Sequence, residues 1–408
     1  MTAMPAFRAV EDPPDTGVTA ARGFAAAGVN CGLRRRRPDL ALIVSELPAS
    51  AAAVFTRNRV QAAPVVVCRE TLAASGGRAR AIVVNSGNAN ACTGPDGLVH
   101  ARMMIAETAR ALGLGCGEVL VSSTGVIGQR LPVERILQAV PAVVGALSTA
   151  GGAAAAEAIL TTDTRVKLAG RRVAATGGSY TIGGMAKGSG MIHPDMATTL
   201  GFVTTDAVVP PKLLRRCLGS AVDRSFNRIT VDGDTSTNDM VAVLANGASG
   251  VAIDGDDDHG FTAALEEVLV ELARQVAKDG EGASKLIEVR VGGAGTETEA
   301  VAVARTVSGS PLVKTAVHGA DANWGRIVAA AGRSGVAVDV ERMRVAICGL
   351  EVLAPGCISD FSEPEATRRM GADEVLIEVD LGAGSAQATC WSCDLTHGYI
   401  DINASYRS

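Results

Sequence analysis

At 408 residues, 47% hydrophobic and 20% charged, the chain is too apolar for a disordered protein and too long for one simple core, so two domains are expected. A net charge of −5 excludes the electrostatic footprint of a nucleic-acid binder, and with 3% aromatics the interior must be packed from Val, Ala, Leu and Ile. Nine cysteines, an odd count in a long chain, argue against a disulfide scaffold and for a reducing cytoplasm.

The opening MTAMPAFRAVEDPPDTG lacks the basic start and apolar stretch of a signal peptide, and no apolar run approaches the ~20 residues of a membrane span. The basic run Arg34 to Arg37 precedes Pro38 and reads as a solvated turn. RAIVV (80–84) reads as a buried strand and NSGNANACTG (85–94) as a loop. Residues 98–114 carry apolar side chains at helical spacing up to Gly115. A strand at 119–121 runs into SSTGVIG, and helices are expected at 131–147 and 153–160. Residues 172–182 read as a hairpin about Gly177–Gly178.

KGSGMIHPDMATTLGFVTTDA (187–207) sets a glycine-loosened approach directly against a threonine-led strand. Pro210 starts a helix to 224. NRITVDGDTSTNDMVAVLANG gives a strand, a polar loop and a second apolar stretch, and 261–278 is a one-faced helix. Beyond Ile287 short valine-rich strands are expected (IEVRV, AVAVA, VAVDV, RMRVAI), so the domains divide as 1–287 and 288–408. Cys68, Cys217 and Cys348 lie in apolar stretches and read as small buried hydrophobes.

Three motifs fail on their own chemistry. GGSYTIGGMAKGSG lacks the lysine a phosphate loop needs after its second glycine. CWSC, Cys390 to Cys393, has redox spacing but no helix-opening pattern follows. DGDDDHG (254–260) lacks the alternating ligands of a calcium loop and reads as solvated. The five histidines offer no metal-ligand spacing, and His193 reads as either a base or a structural group beside Pro194.

A threonine hydroxyl needs a base, and without histidine one remains: the α-amine of an N-terminal threonine, with a pKa of about 7.7–8.0. Cleavage between Ala197 and Thr198 would expose both groups on one residue. A small preceding residue and the glycines at 188 and 190 are compatible with that, as they are with a plain loop feeding a strand. In STGVIG the Thr124 hydroxyl and the Gly125 backbone N–H could hold an acyl oxyanion, or form an ordinary strand-ending turn.

These residues sit in a longer series of motifs in one order: DLALIVSE, FTRNRVQAAPV, VVNSGNANACTG, VSSTGVIG, AILTTDT, KGSGMIHPDMATTLGFVTTDA, FNRITVDGDTSTND, DGEGASKLIEV, KTAVHGADANWGRI and CDLTHGYIDINASYRS. Over nearly the whole chain the series resembles the ornithine acetyltransferase family, also called the bifunctional glutamate N-acetyltransferase family of arginine biosynthesis. The resemblance implies an α/β layered sandwich like that of the aminopeptidase–esterase group, spanning the cleavage site, with a smaller α/β C-terminal domain. It implies self-cleavage into α and β chains held together as α2β2. It further implies ping-pong transfer of acetyl from N2-acetyl-L-ornithine to L-glutamate through an acetyl-threonine. No cofactor or metal is implied for that reaction, and a bifunctional member also takes acetyl-CoA.

Carried over by position, Thr198 is the nucleophile and Ala197–Thr198 the cut bond, while Thr124 and Gly125 form the oxyanion hole. Thr161 (chosen over Thr162 on spacing), Lys187, Thr198, Glu281, Asn403 and Ser408 line the substrate site, so the tail is expected to return to it. Lys187 suits the amino-acid carboxylates and Glu281 the ornithine side-chain amine. The chain departs from the family pattern at Thr199 and Ser408, where methionine and threonine are usual, at Ala322 for proline, and at Ser392 for glycine. None of these removes a catalytic group, and the first two leave room for altered substrate preference. The rival readings are an amidase or aminopeptidase on the same scaffold, a secondary-metabolism paralogue with another acceptor, and an unprocessed binding protein.

Overall fold

The computed structural model describes residues 4, 7, 15–193, 199–255 and 258–405. The expected nucleophile Thr198, the Ala197–Thr198 bond and Ser408 lie outside them. The chain divides into two compact units. One holds the described residues of Met1–Gly188, Pro194–Asn227 and Thr235–Ala273; the other holds Ser189–His193, Arg228–Asp234 and those of Arg274–Ser408. The division therefore falls inside a helix at residue 273 rather than at 287, and two short earlier stretches go with the second unit. Composition along the sequence cannot register such an exchange of short segments.

The first unit contributes β1 (Phe24–Val29), β2 (Leu40–Phe55), α1 (Ala63–Ala74), β3 (Arg78–Asn88), α2 (Gly94–Leu112), β4 (Val119–Val126), α3 (Val133–Gly145) and α4 (Gly152–Ala158). It continues with β5 (Lys167–Ala175), β6 (Gly178–Lys187), β7 (Leu200–Thr205), α5 (Pro211–Asp223), β8 (Met240–Ala245) and α6 (Asp258–Lys278). The strands form one eight-stranded mixed sheet in the order β4-β3-β2-β8-β7-β6-β5, with β1 beside β2. The long β2 shifts register between Val44 and Ala49. Its first half pairs with β1 and its second half with β8.

Adjacent strand residues point to opposite faces, and β6 shows what that means here. Met185 joins the apolar core that also takes in α1 to α4, whereas a side chain at Gly184 would touch Leu272 of α6. Helices thus cover both faces, giving the α/β layered architecture expected from the sequence. The expected 172–182 hairpin is β5–β6, tightened by Gly177 and Gly178 at φ 86° and 150°. Most of the expected helices hold within a few residues, but SSTGV continues β4 instead of leaving it.

The second unit builds β9 (Leu286–Ala294), α7 (Glu297–Ser308), α8 (Pro311–His318), α9 (Trp324–Gly332), β10 (Arg344–Ile347) and β11 (Leu350–Ala354). It ends with β12 (Cys357–Ile358), α10 (Glu363–Met370), β13 (Glu374–Asp380), β14 (Ala386–Cys393) and α11 (His397–Ala404). Its six-stranded sheet runs β12-β11-β10-β13-β9-β14.

Three expected strands are absent here. AVAVA lies in α7: its period-2 look hides Ala300, Val303, Ala304 and Val307, a buried i, i+3, i+4, i+7 face. Thr296 and Glu299 close a capping box that fixes the helix start. VAVDV (336–340) forms no strand, and NRITV contributes a short 3-10 turn and an isolated bridge from Ile229 to Trp391.

Candidate active site

Thr124 and Gly125 sit near the end of β4, on the parallel ladder to β3. Gly125 has φ 131°, and a Cβ there would collide with the backbone of Gly87 and Asn88, so only glycine fits. Buried amides hold this corner. Asn238 Nδ2 donates to the carbonyls of Ala89 (2.6 Å) and Ser123 (2.9 Å), and Ser123 Oγ donates to Asn85 Oδ1 (2.6 Å). The NSGNAN and TSTND motifs therefore act as a scaffold that fixes the peptide leading into Thr124. Thr124 and Gly125, the expected oxyanion pair, are sequence neighbours and stay together on this strand.

Lys187 ends β6, and its Nζ donates to Thr161 Oγ1 at 2.7 Å and to Thr124 Oγ1 at 3.4 Å. Asp163, 2% exposed, organises this group. Its carboxylate accepts from Lys167 Nζ (2.7 Å), Thr161 N (2.9 Å) and Gly188 N (2.7 Å), and it lies 3.8 Å from Lys187 Nζ. Burial alone would raise the Asp163 carboxyl, but the charges of Lys187 and Lys167 and these hydrogen bonds hold it well below the ordinary range. Two lysines thus share the buried Asp163 carboxylate, and Lys187 also acts on Asp239. Thr199 Oγ1 donates to the Lys187 carbonyl, so the departure from the usual methionine acts on the backbone that carries Lys187.

Asp239 stands at the head of β8. Burial pushes its carboxyl well above the usual range, against hydrogen bonds with Ser236 and Thr56 and the Lys187 charge, which pull it down. Its Oδ2 has no hydrogen-bond partner among the described residues. The next residue, Met240, donates its N–H to the Thr199 carbonyl at 3.1 Å.

In the second unit, Glu281 and Asn403 meet: Asn403 Nδ2 donates to Glu281 Oε2 at 2.8 Å and to Tyr399 O at 3.0 Å. The Glu281 carboxylate packs on Gly190, where any Cβ would strike it. Glu281 N donates to Ser189 O at 2.9 Å, and Thr396 Oγ1 donates to Gly282 O at 2.6 Å, docking α11 on this loop. The Tyr399 hydroxyl is pushed up by burial and by the carboxylates of Asp232, Glu281 and Asp234. This corner is anionic and suits a cation.

Both ring nitrogens of His193 have partners: Arg305 Nη2 lies 3.1 Å from Nε2, and Thr230 Oγ1 lies 3.0 Å from Nδ1. Cys390 and Cys393 are buried and free, and burial pushes the Cys390 thiol up to about 12. Three positions apart on β14 they face opposite sides of the strand, so CWSC is not a redox pair. Cys68 and Cys217 are buried as expected, and Cys348 is half-buried. Among the described residues no group of three His, Cys, Asp or Glu could hold a metal, and no helix is long and apolar enough to cross a membrane.

Sequence reasoning overlooked Asp163, Lys167, Asp239 and Tyr399. Asp163 and Lys167 stand four apart in TTDTRVK, but no periodic element there suggested their pairing. Arg34 was misread. Arg35 to Arg37 are exposed as expected, but Arg34 is half-buried and donates from Nη1 to Leu160 O (2.6 Å) and from Nη2 to Thr161 O (2.8 Å).

Residues 25–408 match the model of the ArgJ family. The chain is 50% identical over 400 residues to the arginine biosynthesis bifunctional protein ArgJ of Chlorobaculum tepidum, covering 98% of this chain and 99% of that one. It is 51% identical over 398 residues to the protein of the same name from Symbiobacterium thermophilum, covering 96% and 98%. A crystal structure of the arginine biosynthesis bifunctional protein ArgJ of Bacillus halodurans is 48% identical, with a TM-score of 0.49, covering 50% of this chain and 98% of that one. This chain belongs to the ArgJ family.

Proposed function

We propose that this chain is a self-processing glutamate N-acetyltransferase of arginine biosynthesis, moving acetyl from N2-acetyl-L-ornithine to L-glutamate through an ester on Thr198. The observation that carries the reading is the convergence of Lys187 on the hydroxyls of Thr161 and Thr124, on the strand that holds Gly125. That group offers a buried cation for an amino-acid carboxylate and oxyanion donors for an acyl carbonyl.

In the proposed sequence the Thr198 hydroxyl first attacks the Ala197 carbonyl, and its proton passes to the departing nitrogen. That shift frees the α-amine, and water then hydrolyses the ester, releasing the Ala197 carboxylate and restoring the Thr198 hydroxyl. In turnover that amine takes the Thr198 hydroxyl proton as Oγ attacks the acetyl carbonyl, and returns it to the leaving ornithine nitrogen. Thr124 and Gly125 receive the oxyanion at each stage. The glutamate amine then attacks the acetyl ester and restores the hydroxyl. Lys187 and Thr161 take the substrate carboxylate, and Glu281 with Asn403 takes the ornithine side-chain ammonium. Ser408 is assigned to the same substrate site.

Strands from both sides of the proposed cut lie in one sheet, since β7 pairs with β6 on one side and β8 on the other, and β8 pairs with β2. Continuous pairing of this kind supports retention of the cut pieces as α and β chains, which we place in an α2β2 assembly. Nine free thiols support a reducing, cytoplasmic setting. The relatives are named bifunctional, and carried to this chain the word means a second donor, for which acetyl-CoA is the one to test.

The test is acetyl-labelled N2-acetylornithine with and without glutamate. Labelled N-acetylglutamate formed with parallel-line kinetics supports the reading. Rapid loss of acetylornithine to free acetate without glutamate moves the assignment to a hydrolase. Substituting acetyl-CoA as donor in the same assay decides the second activity.

A further inference from the structure

Arg34 lies in the connection between β1 and β2, and Asp39 shapes that connection. The buried Asp39 carboxylate accepts from Cys31 N at 2.5 Å and from Arg34 N at 2.7 Å. Asp39 O accepts from Ser86 N at 2.9 Å, which ties the loop to the end of β3. The loop is therefore fixed before the Arg34 side chain begins.

The Arg34 stem passes over Gly87, at φ 96°, where a Cβ would sit 3.2 Å from Arg34 Cγ. Gly87 is the register partner of Gly125, and its backbone fills the space where a Gly125 side chain would go. Arg34, Gly87 and Gly125 thus form a three-deep stack that two glycines make possible. At its far end the guanidinium takes the carbonyls of two consecutive residues, Leu160 and Thr161, one on each Nη. A planar fork can bind two carbonyls at once in this way, which a lysine ammonium cannot reproduce.

Thr161 is then held at three atoms: its N–H by Asp163, its carbonyl by Arg34, and its hydroxyl by Lys187. We propose that Arg34 is a positioning residue of the acyl-transfer site. It fixes Thr161 from behind and backs the strand pair that carries Gly125. The proposal rests on the assignment of Thr161 and Gly125 to that site.

Arg34→Ala and Arg34→Lys are compared with the wild type, each normalised to sites that take up one acetyl group from acetylornithine. Small displacements at a reacting centre cost up to about 100-fold. Arg34→Ala should lower the acetylation rate per competent site about 10- to 100-fold and partly recover in millimolar guanidinium. Arg34→Lys should stay slow and gain nothing from guanidinium. In a Thr161→Val background, Arg34→Ala should add little, because the two act through one group. A normal rate per site with fewer competent sites makes Arg34 a folding residue only and overturns the proposal. Fully additive effects with Thr161→Val overturn it too. If the wild type itself takes up no acetyl, the functional reading fails instead.

Discussion

The cluster around Lys187 is built on buried lysines and the corner around Glu281 on carboxylates, and the two are differently held. Lys187 and Lys167 share the buried Asp163, whose carboxylate also accepts two backbone N–H bonds. Glu281 sits among like charges, with Asp232 and Asp234 acting on the same Tyr399, and a single amide bond from Asn403 engages it. On the proposed function, the first takes the carboxylate that donor and acceptor share, and the second takes the ammonium that only ornithine carries. The proposal thus puts common recognition in the sheet and specific recognition in a loop with a docked helix.

The comparison can be broken at either end, and the largest effect belongs to Asp163. Asp163→Asn leaves two buried lysines without their anion and should cost about 3–5 kcal/mol in urea unfolding at pH 7. Because the native carboxyl lies below its ordinary range, its contribution is present above about pH 4 and is lost as pH falls through the native value. The wild type should therefore lose stability in acid that the variant has already lost.

Next, Lys187→Met removes the cation facing Thr161 and should reduce kcat/KM about 10- to 100-fold for acetylornithine and for glutamate alike, the worth of one charge-assisted bond. Glu281→Gln should lower the acetylornithine half-reaction about 10-fold and leave the glutamate half-reaction within two-fold, as single-turnover rates would show. Equal losses in both half-reactions would erase the distinction between the two regions.

The smallest effect is expected at Asp239. Its raised carboxyl keeps a proton that the unfolded chain gives up, so its contribution is full below about pH 4 and declines as pH rises toward the native value. Asp239→Asn mimics the neutral form, should keep pH 7 stability at or above wild type, and should flatten the slope of stability against pH. A loss as large as that of Asp163→Asn would show the carboxyl to be ionised.

Much of the fold was legible because its signals are local: glycines set the β5–β6 hairpin, and α6 shows one apolar face. AVAVA misled because alanine and valine satisfy period 2 and the helical face together, while the deciding TETE capping box lies just before it. Within the site, Thr124, Thr161 and Lys187 were named from the family resemblance, and their convergence is visible only in the structure. Asp163 was invisible because its role comes from burial among lysines on either side of a turn with no periodic pattern, and Asp239 and Arg34 because theirs come from burial and partners far along the chain. For Arg34 the partner lies 127 residues away, and nothing in a basic run marks which arginine turns inward. Gly87 and Gly190 likewise look like loop glycines until a Cβ is placed on them.

The central claim is that Thr198 is a nucleophile exposed by cleavage, and intact mass of the purified protein beside Thr198→Ala tests it most directly. The account predicts two wild-type pieces meeting at Ala197 and Thr198, an uncut variant, and one acetyl group added to the Thr198 piece by acetylornithine. A single uncut wild-type chain, or the same cut in Thr198→Ala, would contradict it.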